Sequence, residues 1–146
     1  MARVLLVDDD PGVHDTIGPF LRHARHEFRS AMTGREALDI ARDFDPDVAL
    51  VDIKLPDISG VEVIRVLQQE MPWVASVAIT GVFLYENATE ALNAGACAWL
   101  DKPVWGEEIL EAMNCHVTIT QWRTYAHFAP SGRACGYRLR FDAVAQ

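Results

Sequence analysis

Five short strand-like segments, each followed by a stretch of helical periodicity, leave this chain few folds to adopt. Val4 to Val7 is apolar without a break, as in a strand buried on both faces. Asp10-Pro11 then opens a helix, with Asp10 as N-cap and Pro11 at the first helical position. Val13, Ile17, Phe20, Leu21 and Ala24 form its apolar face. Gly18-Pro19 lies inside that face and predicts a kink or break, because an interior proline costs about 3 kcal/mol. Phe28 to Met32 reads as the second strand. Thr33-Gly34-Arg35-Glu36 is a capping box, hydroxyl and carboxylate each taking a free amide at the other's end. The helix after it runs through Ala37, Leu38, Ile40 and Ala41 and stops near Asp45-Pro46. The same reasoning gives a strand over Asp47 to Val51, a helix over Gly60 to Gln69 and a strand over Val74 to Ile79. Tyr85 to Ala94 reads as a helix, Cys97 to Leu100 as the fifth strand and Val104 to about Asn114 as the last helix. Five such units with short connections predict an α/β fold, a doubly wound five-stranded parallel sheet flanked by five helices.

Charge divides the chain in two. Residues 1–114 carry 9 Lys/Arg against 20 Asp/Glu, a net of -11, while residues 115–146 carry 4 Arg against 1 Asp, a net of +3. The acidic body argues against a polyanion-binding surface, so no direct nucleic-acid contact is expected of it. Residues 1–116 are read as one domain and 117–146 as an extension without a recognisable effector domain. Within the extension, Val117 to Thr120 is β-branched and Tyr137, Leu139, Phe141 and Ala143 alternate with polar residues across Pro130-Ser131-Gly132, which predicts a β-hairpin. Cys115, His116, His127 and Cys135 could be written as a zinc site, but their irregular spacing favours coincidence. Three cysteines without paired spacing, no signal-like start and no membrane-length apolar stretch predict a cytoplasmic protein.

Ligands bind such sheets at the carboxyl ends of the strands. There the sequence puts Asp8 and Asp9 after the first strand, Asp52 after the third, Thr80 after the fourth and Lys102 after the fifth. Polar residues simply ending buried strands would account for any one of these, and Asp10 is better explained as a cap. The set is different, because clustered carboxylates repel one another unless a cation joins them. Mg²⁺, a hard ion that takes oxygen ligands and keeps several waters, is the natural occupant, with Mn²⁺ as a substitute. Beside it Asp52 could act as a nucleophile towards phosphorus, with Lys102 and Thr80 facing the transferred oxygens.

These segments resemble the response regulator receiver domains of two-component signalling, the chemotaxis-Y-like, flavodoxin-like superfamily. The resemblance rests on Val7-Asp8-Asp9-Asp10-Pro11, on Asp47 through Pro56 followed by Gly60, on Ile79-Thr80-Gly81, and on Ala94-Gly95-Ala96 followed by Trp99-Leu100-Asp101-Lys102-Pro103. It covers residues 3 to about 114. It implies the sheet order 2-1-3-4-5. It also implies that Asp52 is the phosphoacceptor, that Asp9, Asp52 and the backbone carbonyl of Lys54 bind the metal with Asp8 acting through water, and that Thr80 and Lys102 sense the phosphate. Trp99 takes the place of the family's mobile Tyr or Phe. A cis bond before Pro103 is implied as well.

By the same resemblance the partners are a histidine kinase or phosphotransfer protein, docking near His14 and Asp15, and a downstream protein or effector domain; a homodimer is compatible with it. The output face would be built from residues 84–94, 97–100 and 104–114, with Glu107, Glu108 and Glu111 as a solvated surface. No separate substrate turnover is expected. Three alternatives compete with this reading. An aspartyl phosphohydrolase is disfavoured because Lys54 stands where a general acid would be. A scaffold that never receives phosphate is distinguished by treatment with a small phosphodonor. A receiver fragment of a transcriptional regulator is suggested by the 22-residue step from Thr80 to Lys102.

Overall fold

In the computed structural model, which describes residues 1–81, 85–104 and 106–113, the strand-like segments become five parallel strands. They are β1 (Arg3–Val7), β2 (Glu27–Ala31), β3 (Val48–Asp52), β4 (Ala75–Thr80) and β5 (Ala98–Asp101), in the order β2-β1-β3-β4-β5. Between them run α1 (Pro11–His23), α2 (Gly34–Phe44), α3 (Gly60–Glu70) and α4 (Tyr85–Ala94), and residues 106–113 form a further helix, α5. The strand order and the α/β alternation match the expectation. The hairpin expected over residues 117–144 and the zinc arrangement of Cys115, His116, His127 and Cys135 lie outside the described residues.

The unbroken apolar runs reflect burial from both sides. Successive side chains of a strand point to opposite faces. Leu5, Val7, Ala49, Val51 and Ala78 therefore pack on one face against Ala37, Ala41, Ile64, Leu67 and Ala91 of α2, α3 and α4. Val4, Leu6, Val48, Leu50, Val77 and Ile79 face the other way, onto Ile17 and Leu21 of α1 and Ile109, Ala112 and Met113 of α5. A one-residue register slip would exchange the two cores.

Two local expectations are corrected. The helix is not broken at Pro19: α1 continues from Pro11 to His23. Burial of Ile17, Gly18 and Leu21 on both sides of the proline outweighs the local penalty. Gly18 is tightly apposed to β2, for a Cβ there would lie 2.7 Å from the Phe28 ring. The capping box is also shifted. Thr33 Oγ accepts from the Glu36 amide at 3.1 Å as expected, but the Glu36 carboxylate accepts from Met32 N at 3.2 Å, one residue before the cap.

Candidate functional site at the carboxyl rim of the sheet

Parallel strands deliver their last residues to one rim, and the chemistry-bearing side chains collect there. Register pairs Val7 with Val51 and Asp52 with Ile79, so the residues that follow β1 and the end of β3 are neighbours. Asp8 and Asp52 are buried, at 0 % and 4 % exposure, while Asp9 is exposed. One carboxylate oxygen from each lies within 4.8 Å of the others. Lys102, just beyond β5, places Nζ 2.9 Å from Asp8 Oδ2 and 3.0 Å from Asp52 Oδ2. The contact to Asp52 is a hydrogen bond; the one to Asp8 is an ion pair by distance.

The backbone holds these groups in place. Asp8 Oδ1 accepts from Asp10 N at 2.9 Å, and the His14 ring donates from Nε2 to the Asp8 carbonyl at 2.6 Å. Asp52 Oδ1 accepts from Lys54 N at 3.1 Å, and Lys102 N donates to the Thr80 carbonyl at 2.8 Å. Gly60 seats α3 against the end of β3, where a Cβ would lie 2.0 Å from the Asp52 carbonyl oxygen. The Lys102–Pro103 bond is cis.

Burial raises the Asp52 carboxyl above its ordinary value; the Lys54 amide and Lys102 pull it down, and Asp8 pushes it up. For Lys102, burial works to lower the ammonium, but hydrogen bonding and charge from Asp8 and Asp52 prevail and raise it. Two buried carboxylates thus share one cation, with an exposed third carboxylate beside them. Such a site has room for more positive charge, and its donors are hard oxygens, so the residues fit a Mg²⁺-class ion.

A cavity of about 330 Å³ opens on this cluster, lined by Asp9, Asp52, Lys54, Thr80, Asn87 and Lys102 among others. The structure therefore brings together Asp8, Asp9, Asp52, Thr80 and Lys102, with Lys54 at the cavity wall. Trp99 is half-buried and packs on the core beneath α2, α3 and α4. It is registered opposite Ala78, two residues before Thr80, so Thr80 and Trp99 share a sheet face. Asn87 of α4 and the bond from His14 to Asp8 were not anticipated. An i+6 reach from a strand end into the next helix is the only sequence signal for His14, and none marks Asn87. The expected docking neighbourhood on α1 borders a second cavity, about 450 Å³, between Asp10, Gly12, Val13 and Thr16 on one side and Lys102, Pro103 and Val104 on the other.

Residues 4–114 match the family of response regulator receiver domains. The cell cycle response regulator CtrA of Brucella ovis is 29% identical over 115 residues, 79% of this chain and 50% of the relative. The chain thus spans about half the length of the curated relatives it matches. A CheY-like receiver domain protein from Methanospirillum hungatei superimposes with a TM-score of 0.75 at 34% identity, covering 78% of this chain and 91% of that one. A receiver domain from Clostridium thermocellum gives 0.77 at 27% identity, over 84% and 98%. No described helix is long and apolar enough to cross a membrane.

Proposed function

This chain belongs to the response regulator receiver domain family, and we propose that it is a two-component switch that accepts a phosphoryl group on Asp52. The observation that carries the residue assignment is the cluster of Asp8, Asp9 and Asp52 ligand atoms within 4.8 Å, with one lysine touching both buried acids. Asp9 and Asp52, the Lys54 carbonyl and, through water, Asp8 would hold the Mg²⁺-class ion, which supplies positive charge for the oxygens of the group in transfer.

The protein's own groups do the rest. An Asp52 carboxylate oxygen attacks phosphorus, its bond to the donor nitrogen of a phosphohistidine breaks, and the imidazole leaves with the electron pair and takes up a proton. Burial strips water from the nucleophile, and Lys102 keeps it ionised and then pairs with the phosphoryl oxygens. The Thr80 hydroxyl, on the cavity wall, donates to another of those oxygens. Once Thr80 is drawn to the phosphate, Trp99 on the same face moves inward and the surface of α4, β5 and α5 changes shape, for a downstream protein to read. The donor is a histidine kinase or phosphotransfer protein. The chain turns over no separate substrate, and a homodimer through the output face is compatible with the scheme.

Incubation of the purified chain with Mg²⁺ and phosphoramidate tests this. The expected result is a mass gain of one phosphoryl group, abolished by chelation and by Asp52→Asn. No gain in the wild type would favour a scaffold that never carries phosphate.

A further inference from the structure

The loop between β3 and α3 is tied down at three places, and one of them has no part in the chemistry described so far. At its start, Ile53 N donates to the Ile79 carbonyl at 2.9 Å and Lys54 N to Asp52 Oδ1 at 3.1 Å. At its end, Gly60 N donates to the Ile53 carbonyl at 2.8 Å. In the middle the exposed Asp57 reaches across to α2, where Oδ1 accepts from Gly34 N at 2.8 Å and Oδ2 from Arg35 N at 2.9 Å. The neighbouring Ile58 fills the space left by the missing side chain of Gly34, where a Cβ would lie 2.4 Å from Ile58 Cγ1.

The first turn of a helix has free amides, and the positive end of its dipole favours a carboxylate. Thr33 already takes the Glu36 amide. A local side chain could have served the other two. Here they are served from a loop 22 and 23 residues away, so the bond fixes the loop as much as the helix. The Arg35 amide foremost, helped by those of Gly34, Ile58 and Asp57 itself, holds the Asp57 carboxyl down at about 2, although desolvation, second in size only to the Arg35 bond, pushes the other way. The carboxylate therefore stays ionised at neutral pH.

Resting on the function proposed above, we infer that Asp57 is a positioning residue for the metal and phosphate site: its clasp on the first two amides of α2 holds the β3–α3 loop so that the Lys54 carbonyl and amide keep their place beside Asp52. Asp57 itself touches neither metal nor phosphate. It acts as an outer support, through Leu55 and Pro56, the two residues that separate it from Lys54.

The test compares Asp57→Ala, Asp57→Asn and Thr33→Ala. Thr33→Ala removes a cap of the same helix turn without touching the loop, so it reports what helix loss alone does. In Asp57→Ala the Mg²⁺ Kd, measured by titration calorimetry, should rise about tenfold, at the lower end for outer-shell partners of a metal site. The phosphorylation rate at saturating Mg²⁺ should change much less than the Kd. The Lys54 amide should exchange faster with solvent in the metal-free chain. Asp57→Asn, which keeps an acceptor for Gly34 N, should fall between wild type and alanine. Thr33→Ala should lower Tm by about 5 °C, the effect of one lost cap, while leaving both the Mg²⁺ Kd and Lys54 exchange as in wild type.

The inference is overturned if Asp57→Ala matches wild type in Kd and Lys54 exchange, or if Thr33→Ala shifts both as far. A wild type that takes up phosphate while Asp57→Ala behaves identically sinks only the clasp. A wild type that takes up none sinks the proposed function, and the metal-free Lys54 exchange then decides the clasp alone.

Discussion

Acids at the amino rim of the sheet are paired one to one with donors, whereas acids at the carboxyl rim crowd around a single cation. At the amino rim Asp47 Oδ2 accepts from Arg3 N at 2.8 Å, and Asp45 Oδ1 accepts from the Trp73 indole at 2.8 Å. Arg3 and Glu27 approach to 4.0 Å beside them. At the carboxyl rim Asp8 and Asp52, both buried, share Lys102, with exposed Asp9 alongside. Both sets end or precede strands of the same sheet, so fold alone does not explain the difference. Local pairing satisfies a carboxylate and adds modestly to stability. A buried, undercompensated cluster costs stability, and is retained where charge is to be added later.

The largest expected effect comes from removing the shared cation. Lys102→Met leaves two buried carboxylates without their shared cation, each keeping one backbone amide. Breaking a buried pair costs about 3–5 kcal/mol, less where one partner is partly exposed. A loss of about 2–3 kcal/mol is expected in metal-free urea denaturation, on that basis. Saturating Mg²⁺ should recover much of it. A variant whose stability ignores Mg²⁺ would break the contrast between the rims.

Acid titration sharpens the contrast by sign. The Asp52 carboxyl is raised from 3.8, so above that value the folded chain holds a proton that the unfolded chain has released. Its contribution therefore falls as pH rises from the unfolded value through the raised folded one. Asp57, held at about 2, behaves oppositely: its contribution is present above 3.8 and is lost as pH falls towards 2. In metal-free urea midpoints taken across this range, Asp52→Asn should gain on wild type with rising pH and Asp57→Asn should lose. Parallel slopes would contradict the assignment of the two acids to different tasks.

Smaller effects belong to the amino rim and the helix surface. Asp47→Ala should cost about 1 kcal/mol, the usual value of one hydrogen bond, and leave phosphoryl uptake unchanged. Arg42, exposed and paired with Glu70 at 3.2 Å, should matter least. Arg42→Ala should leave the urea midpoint almost unchanged, and what little it costs should fade with added salt.

Much of this was legible from residue patterns because the decisive forces are local or periodic. Val4 to Val7 announces burial on both faces, Asp10-Pro11 and Thr33 announce helix starts, and strand ends in a parallel sheet must meet at one rim. Asp8, Asp9, Asp52, Thr80 and Lys102 follow from that geometry. Pro19 misleads, because its penalty is local while the packing of Ile17, Gly18 and Leu21 that outweighs it is tertiary. Glu36 misleads by one residue, since its carboxylate takes the amide of Met32 and not that of the capping Thr33, a choice the sequence spacing does not make. The Asp57 clasp was invisible: Asp57 follows a proline in a loop, where a turn residue is expected anyway, and its partners lie in another helix.

Which acid accepts phosphate decides the assignment of the whole site. After exposure to phosphoramidate and Mg²⁺, borohydride reduces an acyl phosphate to the alcohol, converting the modified aspartate to homoserine at its own position. Peptide mass mapping should find homoserine at residue 52 and unmodified aspartate at residues 8 and 9. Homoserine at residue 8 or 9, or at none of the three, would contradict it.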